Sequence, residues 1–228
     1  MKTRLLVALG LLVMSVLNAQ EQPGVVKTIG RPGQPGNPLD SVFVRAKGAV
    51  NASVSDNEGS FTIVLDRYQT GQAYSLSRVS RNGYQLADGN VIGRAYPFSS
   101  EIPLEIAMVS TDDYNRVKIE IETRVRNAVE QEYQAQVSDI RKRLEEKTIS
   151  EEAYQQKMVE ILDYYDNSSN LIKKLADRYA RMDYDRLDSI DIRINALIEQ
   201  GKLEEAEALI NSKGTKEALE EVRKNNLL

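Results

Sequence analysis

The stretch Ile102-Pro103-Leu104-Glu105-Ile106-Ala107-Met108, continued by Val109-Ser110-Thr111-Asp112-Asp113-Tyr114, decides how the chain is organised. Its first part reads as the last strand of a β-rich half, with Pro103 placing it at a sheet edge or a strand start. Beyond Ser110 the period changes. Tyr114, Val117, Ile121, Val125, Ala128, Tyr133, Val137, Ile140 and Leu144 fall mainly three or four apart, the stripe of one long amphipathic helix. Composition changes at the same place. All 6 prolines lie between Pro23 and Pro103, and beyond residue 93 only Gly201 and Gly214 remain. The first half is therefore rich in turns, and the second is built of helix formers.

Toward the N-terminus the signals are short and period-two. Ser41 to Ala46 is rich in β-branched and aromatic residues. Asp56-Asn57-Glu58-Gly59 is a polar turn, and Phe61, Ile63 and Leu65 alternate on one face after it. Over Tyr74 to Val79 either Tyr74, Leu76 and Arg78 or Ser75, Ser77 and Val79 point inward. Short strands and turns without helices predict an antiparallel sandwich.

Toward the C-terminus, Thr148-Ile149-Ser150-Glu151 has capping-box spacing and restarts a helix carrying Tyr154, Met158, Ile161, Leu162 and Tyr165. Asp166-Asn167-Ser168-Ser169 predicts a break. Leu171, Ile172, Leu175, Tyr179 and Met182 form a third stripe. Leu187, Ile190, Ile194, Leu197 and Ile198 form a fourth, stopped by Gly201. Leu203, Ala206, Leu209 and Ile210 form a fifth, stopped by Gly214, and Thr215 caps a last helix through Leu219 and Val222.

Ahead of both halves stands an export signal. Lys2 and Arg4 precede a run from Leu5 to Leu17 broken only by Gly10 and Ser15, and Asn18-Ala19-Gln20 follows. The run is too short for a bilayer-spanning helix. The expected divisions are a signal peptide over 1–19, a β-sandwich over 20–109 and a helical region over 110–228. The expected destination is the periplasm, the outer membrane's surface or the medium, with no membrane span once the signal is removed.

Residue counts exclude much chemistry. With Cys 0 and His 0, there is no thiol nucleophile, thiolate metal site, imidazole base or His-ligated zinc. An exported chain without cysteines points to a bacterium. Net charge is −4, which gives no long-range attraction to nucleic acid. The charge is divided: residues 24–110 carry 8 basic and 7 acidic side chains, and residues 111–228 carry 20 and 26.

Gly36-Asn37-Pro38-Leu39-Asp40-Ser41-Val42-Phe43-Val44, Ser55-Asp56-Asn57-Glu58-Gly59-Ser60-Phe61, Tyr74-Ser75-Leu76 and Gly83-Tyr84 come in the order of the carboxypeptidase regulatory-like pattern. Residues 24–109 thus resemble that domain, with Ser55 in place of its usual Thr and a Pro/Gly-rich loop from Gly30 to Pro38. The resemblance implies a transthyretin-like β-sandwich of roughly seven strands without catalytic residues. Ala196 to Ile210, with Gly201 at the turn and Ala206 five residues later, resembles the centre of one divergent tetratricopeptide repeat. Aliphatic residues replace the large aromatics of its first helix. The whole arrangement looks like exported bacterial proteins that join such a sandwich to helical repeats.

The carboxylate pairs Glu120/Glu122, Glu130/Glu132, Glu151/Glu152 and Glu204/Glu205 are one or two apart on helices, so their members point to different faces and read as solvated. Asp56-Asn57-Glu58 lacks the alternating spacing of a calcium loop. The Gly30 to Gly36 loop holds too much proline to cradle phosphate. Tyr164, Tyr165, Tyr179 and Tyr184 are the candidate binding patch, and Leu209, Leu219 and Val222 a face for docking or self-association. The expectation is a noncatalytic exported interaction protein with a protein or peptide partner and no cofactor or metal. The alternative is a glycan- or cell-wall-binding module.

Overall fold

The computed structural model describes residues 20–66 and 68–225, with side chains as far as residue 216. The expected signal over 1–19 lies outside the described residues. Among the described residues eight strands come first: β1 (Glu21–Thr28), β2 (Phe43–Ala46), β3 (Ser53–Val54), β4 (Ser60–Val64), β5 (Ala73–Ser80), β6 (Tyr84–Leu86), β7 (Ala95–Pro97) and β8 (Leu104–Ser110). Four helices follow: α1 (Thr111–Glu145), α2 (Glu151–Arg181), α3 (Ser189–Glu199) and α4 (Leu203–Asn225). Among the described residues no helix is long and apolar enough to cross a membrane.

One sheet has the order β4-β1-β8-β6 and the other β3-β2-β5-β7. Val44 and Leu76 of the second sheet share a core with Ile63, Ile106 and Met108 of the first. Phe61, Ile63 and Leu65 alternate into that core as their spacing predicts. One pair departs from an all-antiparallel arrangement: β1 and β8 run parallel, from Gly24 opposite Leu104 to Thr28 opposite Met108. Parallel neighbours need a long crossover, and the whole intervening domain supplies it. Pro103 precedes β8, which is central in its sheet, so the proline marks a strand start rather than an edge.

On β5 the inward phase changes midway. Tyr74 and Leu76 are buried, but a register shift between Arg45 and Ala46 puts Val44 opposite Val79 and Arg45 opposite Arg78. Ser77 is the additional residue of this bulge, so Val79 turns inward and Arg78 outward. Neither reading of the alternation holds along the full strand. In the turn before β4, Asp56 Oδ1 accepts from the Glu58 and Ser60 backbone N–H groups, both at 2.9 Å. That carboxylate oxygen closes a turn.

The strand–helix boundary has no linker. Ser110 ends β8 and caps α1, its hydroxyl accepting from the Asp113 N–H at 3.1 Å. Tyr114, Val117, Ile121, Val125, Val129 and Ile140 form the buried stripe of α1, with Val129 buried where the spacing favoured Ala128. Ser150 caps α2 by accepting from the Ala153 N–H at 3.2 Å, while Thr148 donates to the Arg143 carbonyl. The capping box expected from Thr148 is therefore replaced by a single cap two residues later.

Two expected breaks are absent. α2 continues through Asp166–Ser169, and two of those side chains find partners inside the helix. Asn167 Nδ2 donates to Asp163 Oδ1 at 3.1 Å, and buried Ser168 donates to the Tyr165 carbonyl at 2.7 Å. α4 likewise runs through Gly214, and Thr215 donates back to the Asn211 carbonyl at 2.9 Å instead of capping a new helix. Gly201, in contrast, does end a helix. Its φ is +75°, and buried Leu203 and Ala206 follow it.

Candidate functional site

The helices meet the β domain through the Pro/Gly-rich loop. Ile29 and Val109 belong to the helical core with Ile121, Leu175 and Ala180. Just past Ile29, the loop docks on the segment after α2. The Gly30 N–H donates to Asp183 Oδ1 at 2.7 Å and the Gly36 N–H to Asp185 Oδ2 at 2.9 Å. A Cβ at Gly30 would collide with the Asp185 carboxylate, and one at Gly36 with the Thr28 carbonyl. Close approach to backbone requires glycine at Gly36, while a side chain at Gly30 would have to displace the Asp185 carboxylate. The loop's isolated N–H donors thus serve carboxylates of the chain itself. The bond to Gly36 leads in holding the Asp185 carboxyl below its ordinary range.

Arg31 fixes the loop to two helices. Its Nε and Nη2 donate to Asp113 Oδ2 at 2.9 and 2.7 Å, and Nη2 also donates to the Ala180 carbonyl at 2.9 Å. Nη1 is buried and has no hydrogen-bond partner among the described residues. On the other side Arg181 donates to the Leu86 carbonyl at 3.0 Å and lies over the Tyr114 ring, whose hydroxyl bonds Asp177.

Between the loop and the first turns of α1 opens a cleft of about 620 Å³, lined also by Tyr84, Tyr179, Tyr184 and Glu199. A ladder of alternating charge runs along its wall. Asp113 pairs with Arg116, Arg116 with Glu120 at 3.7 Å, Glu120 with Arg124 at 2.7 Å, and Arg124 with Glu199 at 3.4 Å. Glu199 accepts from the Tyr179 hydroxyl at 2.9 Å, which accepts in turn from Tyr184 at 2.7 Å. Burial first, and then these hydroxyl and carboxylate neighbours, push the Tyr179 pKa up, so it stays a neutral donor. Pro32 and Pro35 add apolar surface to the loop side.

A second groove, of about 820 Å³, lies between α1, α2 and the α3–α4 turn, and Tyr164 lines it beside Glu132, Gly201 and Glu204. Tyr165 turns elsewhere, its ring 4.6 Å from that of Tyr133 and its hydroxyl on Glu130. The four tyrosines are therefore not one patch. Tyr179 and Tyr184 share the junction cleft, while Tyr165 lies about 20 Å from Tyr179 along α2. Leu209 packs half-buried against the helical core. The side chains of Leu219 and Val222 lie outside the described residues.

Sequence reasoning missed Arg31, Arg116, Glu120, Arg124 and Glu199 as cleft residues. The spacing of Asp113, Arg116, Glu120 and Arg124 by three and four does announce a ladder. Nothing local announces Arg31 or Glu199, which reach the cleft only through tertiary packing. A general acid would need a carboxyl raised by burial or by a like charge. The Asp113 and Asp177 carboxyls lie below their ordinary range, since the hydrogen bonds from Arg31, Arg116, Tyr114 and Arg181 outweigh burial, which acts to raise them. They act as ion-pair partners.

No family model matches the chain, and neither a characterised protein nor a solved structure is significantly similar to it.

Proposed function

We propose that the chain is an exported, noncatalytic interaction protein that takes an extended peptide segment of a protein partner in the cleft between its β domain and its helices. In this reading the β domain is a transthyretin-like module and the α3–α4 pair a divergent repeat of the tetratricopeptide kind. The observation that carries the proposal is the cleft wall itself. It sets tyrosine and proline surface beside a ladder in which three carboxylates alternate with two guanidinium groups. A peptide backbone offers carbonyl acceptors and N–H donors together, which suits a wall with both guanidinium and carboxylate groups. Aromatic rings add contact area at small entropic cost.

The test is capture from a bacterial envelope fraction with the mature chain, beside Tyr184→Ala and Arg124→Ala variants. One stoichiometric protein retained by the wild type and lost by both variants supports the proposal. Retention on purified polysaccharide, with no protein lost on mutation, overturns it in favour of a glycan-binding role.

A further inference from the structure

The helices pack on the first sheet, through Ile29 after β1 and Val109 on β8. The second sheet turns its outer face to solvent, away from the junction cleft. Its strands read Ser-Val, Phe-Val-Arg-Ala, Ala-Tyr-Ser-Leu-Ser-Arg-Val-Ser and Ala-Tyr-Pro, without a single acidic residue. At its centre Arg45 stands directly opposite Arg78, both exposed. Among the described residues neither makes an ion pair. Like charges in direct opposition weaken a sheet, so the arrangement works against the fold rather than for it. The bulge at Ser77 is what turns Arg78 to this face. Arg78 is also held in place, its guanidinium 5.0 Å from the Phe43 ring centroid and its Nε donating to Ser80 Oγ at 3.2 Å. Opposite Phe43 lies Val54, 61% exposed.

We infer that this face, with Arg45 beside Arg78 and an apolar ledge of Phe43 and Val54, docks an acidic peptide segment of a partner protein. The occupant carries carboxylates because each guanidinium fork matches a carboxylate, and none is present on the sheet to fill it. It carries an apolar side chain because Phe43 and Val54 offer one surface to cover. A net charge of −4 opposes approach to an anionic membrane or nucleic acid, which present a broad field to the whole molecule. A short acidic segment meets only the local pair. The site is independent of the junction cleft, so either can fail without the other.

Fluorescence anisotropy with the mature chain and a labelled peptide of alternating glutamate and serine around a central leucine tests it. The expected result is saturable binding that weakens with salt and falls roughly tenfold or more in the Arg45→Gln/Arg78→Gln variant. Tyr184→Ala leaves that binding unchanged. The double variant unfolds at the same or a higher temperature than the wild type, because the opposed charges are gone. The inference is overturned by absence of saturable binding, by equal binding of the glutamine-for-glutamate peptide, or by unchanged affinity in the double variant. Binding confined to phosphatidylglycerol vesicles overturns it too.

Discussion

Arg31, on the loop that leaves β1, gives two hydrogen bonds to a single carboxylate oxygen of Asp113 in the first turn of α1. This pair joins the β domain to the helices at the mouth of the cleft. Asp113 is doubly placed: it also suits the N-terminal end of α1, where a negative charge meets the helix dipole. Because Arg31 reaches the Ala180 carbonyl as well, one side chain holds the loop, the start of α1 and the end of α2.

Replacing that side chain is expected to loosen the junction more than either domain. Arg31→Met keeps most of the apolar stem but strands the Ala180 carbonyl and removes one of the cations at Asp113. The expected loss is about 2 kcal/mol in urea unfolding, from charge-assisted hydrogen bonds that are largely shielded from water. The second expected sign is faster proteolysis within Gly30–Pro38. An unchanged urea midpoint with an unchanged digestion pattern counts against this loop as the tie between the domains.

Acid should weaken the same junction, and the sign follows from the carboxylates. The Asp113, Asp177 and Asp185 pKa values are all lowered from the ordinary 3.8 by hydrogen bonds, which for Asp113 and Asp177 outweigh an opposing effect of burial. A group depressed in the folded chain contributes stability that is complete above its unfolded value. That stability is lost as pH falls through the folded value. Urea midpoints are therefore expected to decline from about pH 5 downward, and Asp113→Asn to decline less steeply. An equally steep decline in Asp113→Asn assigns the acid sensitivity elsewhere.

The turn between α3 and α4 depends on Gly201. Its φ of +75° lies where side chains with a Cβ are strained, and such a Cβ would stand 3.0 Å from Cβ of Ala128 on α1. Gly201→Ala is expected to cost about 1–2 kcal/mol from the backbone alone. Thermal unfolding followed by circular dichroism reads that loss. No change in midpoint would mean that the turn relaxes without disturbing α1.

How far the fold was legible follows the reach of each signal. Phe61, Ile63 and Leu65 share one face by local alternation, and the stripe from Tyr114 to Ile140 by local helical spacing, so both could be read. β7 could not, since Ala95–Pro97 has three residues and one is proline. The bulge that reverses Arg78 is set by pairing with Arg45, thirty-odd positions away in sequence, and no pattern within β5 contains it. Tyr179 and Tyr184 were legible as candidates because they are large, polar-tipped and close together. Their partners Glu199 and Arg124 come from other helices, so the cleft as a whole was not.

Gly214 is where local propensity and the structure disagree, and it can be tested directly. Glycine after an apolar stripe reads as a stop, yet α4 passes through it and, among the described residues, nothing lies within 4 Å of where its Cβ would be. Its φ is not in the left-handed region, unlike that of Gly201. A glycine inside a helix with open space around it gives the unfolded chain freedom and gives the folded helix no contact in return. Gly214→Ala is therefore expected to raise stability by about 0.5–1 kcal/mol, with more helical signal in circular dichroism. If the helix instead ended there through a left-handed residue, alanine would strain the backbone and the midpoint would fall. The two substitutions Gly201→Ala and Gly214→Ala should thus move stability in opposite directions, although both glycines look alike as helix stops in the sequence.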